Sequence, residues 1–150
     1  MLRKIFNLCH SIELAAEEVY LKISDQTEDD ELKLFWLDIS QDEKRHASYW
    51  KQLLQLQKKG SVKNPFDNPK LVADELNTMK EKIEAVINNE HLDSDLSDLI
   101  LWAYQIEHNM LHPAFAIFYH ALATNSEDIS PEQDYQNHIN KFSQMVKKHL

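Results

Sequence analysis

Glu43-Lys44-Arg45-His46 is a Glu-x-x-His tetrapeptide set in a stretch rich in aromatic and aliphatic residues. On a helix, residues three apart share one face, so the carboxylate and the imidazole stand one turn apart. The surrounding apolar stripe runs Leu32, Phe35, Trp36, Ile39, then Trp50, Leu53 and Leu54, and Glu43 and His46 fall near its middle. A charge buried there must be paired or bound to a metal. Three more such groups fall on inward faces. Glu13 flanks the stripe Ile5, Leu8, Ile12, Ala16, Val19, Ile23, with Tyr20 on the same line two turns on. Glu107 lies at the centre of a stripe containing Leu99, Ile100, Ala103, Ile106, Ile117 and Phe118, and His138 at the edge of Tyr135, Ile139, Phe142 and Val146. Carboxylates with imidazoles suit iron or manganese, and also zinc. Three converging carboxylates without a cation would repel one another strongly.

Five helices position these groups. The punctuation and periodicity predict helices near 3–25, 29–58, 69–89, 95–123 and 131–149. Gly60 closes the second, and Gly60 to Pro69 is the clearest loop. Asp93-Ser94-Asp95 marks a helix start, and Ser130-Pro131 is a cap followed by proline at the first helical position. Adjacent antiparallel helices need only a short connection. The 35 residues from Gly60 to Asp95, with a helix of their own, predict a crossover along a bundle.

Composition narrows the possibilities further. The 150 residues include one Gly and one Cys, and 16 basic against 25 acidic side chains give a net charge of −9. One glycine cannot supply the turns of a many-stranded sheet or a phosphate-cradling loop. One cysteine, Cys9, excludes an internal disulfide framework and any Cys-rich metal centre. The acidic balance disfavours nucleic acid as a partner. No apolar run approaches the roughly 20 residues of a membrane helix. The apolar start is broken by Asn7, His10 and Glu13, so no signal peptide is read and a cytoplasmic location is expected by default. A single domain over 1–150 is expected.

With these residues in hand, the chain resembles the rubrerythrin branch of the ferritin-like superfamily, without its rubredoxin domain. Glu13 followed by Tyr20 resembles the family's Glu with Tyr seven residues on, Glu43 to Ala47 resembles its E-x-x-H-A, and Tyr104 to His108 resembles its single-Glu helix. The resemblance implies an all-α, ferritin-like four-helix bundle with a long crossover containing an extra helix. It implies a non-haem di-iron oxidoreductase that reduces peroxide or oxygen, or oxidises Fe(II), drawing electrons from a separate redox protein, and a homodimer. Glu13 and Glu107 would be terminal ligands, Glu43 would bridge, His46 and His138 would each take one metal, and Tyr20 would sit behind the ligands.

Two positions depart from that pattern. Tyr135-Gln136-Asn137-His138 stands where a second E-x-x-H is expected, and Met110 stands where rubrerythrin proper has a further Glu. Tyr135 is open to three roles: a phenolate ligand, a hydrogen-bond donor to a bound water or oxygen species, or a core tyrosine. Asp134, at a poorer helical phase, could take its place after a helix adjustment. Five ligands would hold one metal firmly and a second weakly. The alternatives are therefore a non-catalytic metal-binding or iron-handling bundle, and a metal-free helical interaction module in which Glu43 and His46 form a hydrogen-bonded pair. His108 and His112, four apart, could hold zinc on a helix surface, or be solvated or lie at a subunit contact.

Overall fold

A computed structural model describes residues 1–88, 95–109, 113–123 and 130–149. Among the described residues every regular element is a helix. The contacts group the chain into two compact units, Met1–Leu92 and Asp93–Leu150.

The first unit holds α1 (Leu2–Gln26), α2 (Asp30–Lys58) and α3 (Pro69–Ile87). Thr27 leaves the helical region at φ −92° and ψ 124°, and its hydroxyl donates to the Ile23 carbonyl at 2.6 Å. Two residues later the Asp29 carboxylate accepts from the Leu32 amide at 3.0 Å, opening α2 with Asp30 and Glu31 in its first turn. Side-chain acceptors and acidic residues both suit the exposed amides and positive end of a helix start. So short a turn sends α2 back antiparallel along α1. Ser24 donates to the Lys33 carbonyl, Tyr20 lies against Trp36 and Phe6 against Trp50, so positions rise on one helix as they fall on the other.

Alternation of the stripe with charged faces decides what this hairpin buries. Ile5, Ile12, Val19 and Ile23 of α1 are buried with Trp36, Ile39, Trp50 and Leu53 of α2. Each such side chain contributes about 1.5–3 kcal/mol by leaving water. At the end of α2, Gly60 adopts φ +73°, its amide donates to Gln57, and the Ser61 amide reaches back to Leu56. This is the double closure of a Schellman turn, which needs a left-handed residue at that point. Asn68 then caps α3 by accepting from the Leu71 amide at 3.1 Å, with Pro69 at the first helical position. α3 packs on α1 through Ala73, Leu76 and Ile83, and the Lys22 ammonium of α1 donates to the Ile87 carbonyl at 2.9 Å. A cation there satisfies carbonyls at the negative end of α3.

The second unit holds α4 (Leu96–Asn109), α5 (Pro113–Ala123) and α6 (Pro131–His149), with α4 and α5 each packed on α6. Asp95 caps α4 by accepting from the Asp98 amide, and Ser130 caps α6 by accepting from the Gln133 amide. The single helix predicted over 95–123 is corrected to two. α5 opens at Pro113, and a proline lacks the amide hydrogen that a continuous helix would need at that point. One apolar stripe therefore does not run through the segment: Ile100, Ala103, Ile106 and Phe118 are buried, but Ile117 is 56% exposed. Asp93, Ser94, Met110 and His112 lie outside the described residues. No described helix is long and apolar enough to cross a membrane.

Candidate metal centre

In the first unit, α1 supplies Glu13 and α2 supplies Glu43 and His46, all but completely buried. The three-residue spacing on α2 puts Glu43 and His46 on one face, and the antiparallel return brings that face to Glu13. The Nδ1 atom of His46 lies 3.7 Å from Oε2 of Glu43 and 3.9 Å from Oε2 of Glu13. Both separations exceed the roughly 3.2 Å reach of a good hydrogen bond. Both fall inside the limit for two atoms on one ion, about 4.2 Å for bonds of about 2.1 Å. The spacing is thus wide for direct pairing and suitable for a cation between ligands. The other oxygen of Glu13, Oε1, accepts a hydrogen bond from the Trp50 indole at 3.2 Å.

Neighbouring charges have separate explanations. Asp42 is buried, and its carboxylate accepts from Arg45 at 2.6 Å, one turn on. Burial pushes the Cys9 thiol well above its ordinary range, and the charge of Glu13 adds to the effect. Partial burial holds the His10 imidazole below its usual value, Lys51 adds to that, and Glu13 pulls the other way. Tyr20, two turns along α1 from Glu13, is fully buried with its ring 5.8 Å from Trp36.

In the second unit, α4 supplies Glu107 and α6 supplies His138, again buried. Nε2 of His138 lies 3.1 Å from Oε2 of Glu107. Tyr135, one turn before His138, is buried and stacks on Tyr119 of α5 with centroids 4.5 Å apart and rings inclined at 21°. Asp134, whose helical phase looked poor for an inward role, is buried as well. His138 meets the edge of Phe142 at 5.3 Å. The remaining histidines differ. His108 is exposed and leans on Tyr104, and His120 is 82% exposed beside Glu132.

All five ligand residues expected from sequence are therefore buried, three grouped in the first unit and two in the second. Sequence reasoning treated Trp50 as apolar filling and missed its hydrogen bond to Glu13. The signal was faint: Trp50 stands four positions after His46, on the same face of α2. No protein-family model, no curated protein and no solved structure matches the chain. The rubrerythrin resemblance rests on the residues named above.

Proposed function

We propose that the chain is a non-haem metal protein of rubrerythrin type, in which Glu13, Glu43 and His46 of the first unit hold a metal ion, and Glu107 and His138 of the second are the further ligands that the resemblance implies. The observation that carries this reading is the burial of Glu13 and Glu43 around one imidazole at 3.7 and 3.9 Å. Two buried carboxylates facing one imidazole demand compensation, and a divalent cation held among the three would provide it. The donor set fits iron, and also manganese or zinc. When bound, iron supplies the electrons and Lewis acidity for reduction of peroxide or oxygen, or accepts an electron from substrate Fe(II).

The chain's own residues do the rest. The carboxylates set the charge of the centre and the imidazoles add neutral donors. Trp50 beside Glu13 in the first unit and Phe142 beside His138 in the second are fully buried, and each keeps bulk water from the ligands of its own unit, which strengthens the electrostatic contacts there. The buried phenols Tyr20 and Tyr135 are the proton-bearing groups assigned to the reaction in this reading. In this reading the electrons come from a separate redox protein. A homodimer belongs to the same reading, to be checked by light scattering.

The ring of Tyr135 is already engaged against Tyr119, which favours a second reading. In it the second metal is held weakly, and the bundle binds or handles iron without fast turnover. One experiment separates the two. Protein purified without chelator is assayed for metal content, absorption and peroxide-dependent oxidation after anaerobic reduction. About two irons per chain with an oxo-bridge band and rapid oxidation support the first reading. One firmly held metal without turnover supports the second. Protein that takes up no Fe(II), Mn(II) or Zn(II) refutes both.

A further inference from the structure

The two oxygens of Glu13 are not equivalent. Oε1 accepts from the Trp50 indole at 3.2 Å, whereas Oε2 faces Nδ1 of His46 at 3.9 Å. An indole has one donor and no acceptor, so Trp50 can only donate, and here it donates to the carboxylate. Trp50 is itself fully buried, and Phe6 lies against it with centroids 5.8 Å apart, which limits the movement of the ring. It also sits on the helix that carries Glu43 and His46, so one rigid element presents two ligands and the group that orients a third. We infer that Trp50 is a positioning residue of the metal centre, committing Oε1 of Glu13 to the indole and presenting Oε2 to the metal. Glu13 then meets the metal first through Oε2, since the indole already occupies one acceptor site of Oε1. This inference rests on the metal reading above. It goes further by naming a group outside the ligand set and the ligand atom that it selects.

Outer partners that orient a metal ligand typically change affinity 10–100-fold when removed. Phenylalanine at position 50 keeps an aromatic ring and deletes only the donor and part of the bulk. The test titrates Zn(II) and Fe(II) into wild type, W50F and W36F, with a thermal melt of each in the absence of metal. Trp36 is the control, a fully buried indole of the same helix that packs on Tyr20. W50F is expected to lose 10–100-fold in affinity, and W36F to retain wild-type affinity whatever its melt. Equal affinity of W50F and wild type overturns the inference and leaves the metal reading standing. So does a W36F loss as large as that of W50F, since a general packing defect would then explain both. Wild type that takes up neither ion overturns the metal reading, and this inference with it. If W50F does not fold, the wild-type indole N–H resonance of Trp50 decides. It is expected to shift in step with Zn(II) occupancy while resisting exchange with solvent, and a resonance unmoved at full occupancy overturns the inference.

Discussion

The two units carry buried ligand groups built from the same local device and completed to different degrees. In the first, Glu43 and His46 share a face of α2, a three-residue turn returns that face to Glu13 on α1, and Trp50 fixes one oxygen of Glu13. In the second, the matching face of α6 has His138 one turn after Tyr135, so a phenol stands where the first unit has a carboxylate. That phenol is stacked on Tyr119, and Glu107 is the carboxylate at His138. Two carboxylates and an imidazole neutralise a divalent ion; one carboxylate and an imidazole do not. Under the proposed metal reading, one substitution at a helical repeat separates a stronger ligand group from a weaker one without disturbing the helix that bears it.

The largest expected effect comes from the stronger group. Glu43→Ala should abolish metal uptake, read as metal per chain after desalting, whereas His138→Ala should reduce uptake and leave a residual fraction. If His138→Ala empties the protein and Glu43→Ala does not, the ranking of the two groups is reversed. Next in size, Tyr135→Glu supplies the missing carboxylate and should raise occupancy of the weaker metal, seen as a second event in a calorimetric Fe(II) or Zn(II) titration. An unchanged titration would show that the phenol is not what limits the second unit. Smaller still, the end caps should behave alike in both units. Asp29→Ala and Ser130→Ala should each cost about 1 kcal/mol in urea unfolding, and a cost confined to one of them would show that the other helix start is held by something else.

The smallest effect concerns pH and the first unit alone, since Cys9 lies on α1. Its thiol keeps its proton to higher pH in the folded chain than in the unfolded one, chiefly through burial and then through Glu13. The associated stability is therefore complete below the unfolded thiol value of about 8.5 and declines as pH rises toward the folded value. Cys9→Ala should lose less stability than wild type between neutral and alkaline pH, compared by urea midpoints. The native thiol should also resist a disulfide reagent until the chain is unfolded. Rapid labelling of native protein would contradict its burial.

How much of this was legible in the sequence depended on how local the cause was. Asp95 and Ser130 announce helix starts because each bonds an amide three residues on. Glu13, Glu43, His46, Glu107 and His138 could be placed inward because helical phase is a local property. Phase misled where a local rule was interrupted. Ile117 was assigned to a stripe that Pro113 breaks, and Asp134 was given a poor position yet is buried. Trp50 escaped for the opposite reason. Its partner is 37 residues away on another helix, and an indole on an apolar stripe looks the same whether or not its N–H is used. Function was legible only through resemblance, because the same buried carboxylates and imidazoles suit several metals.

Gly60 sets a different kind of limit, on how this sequence can drift. A methyl group added there would meet nothing within 4 Å, so no neighbour forbids a larger residue. The position is held by its backbone torsion alone, at φ +73°. Divergence at residue 60 should therefore be filtered by dihedral preference and be blind to size, polarity and charge. Asparagine is the easiest replacement, and the β-branched residues the hardest. A saturation library at this one codon, sorted for folded protein, would rank residues by their left-handed propensity.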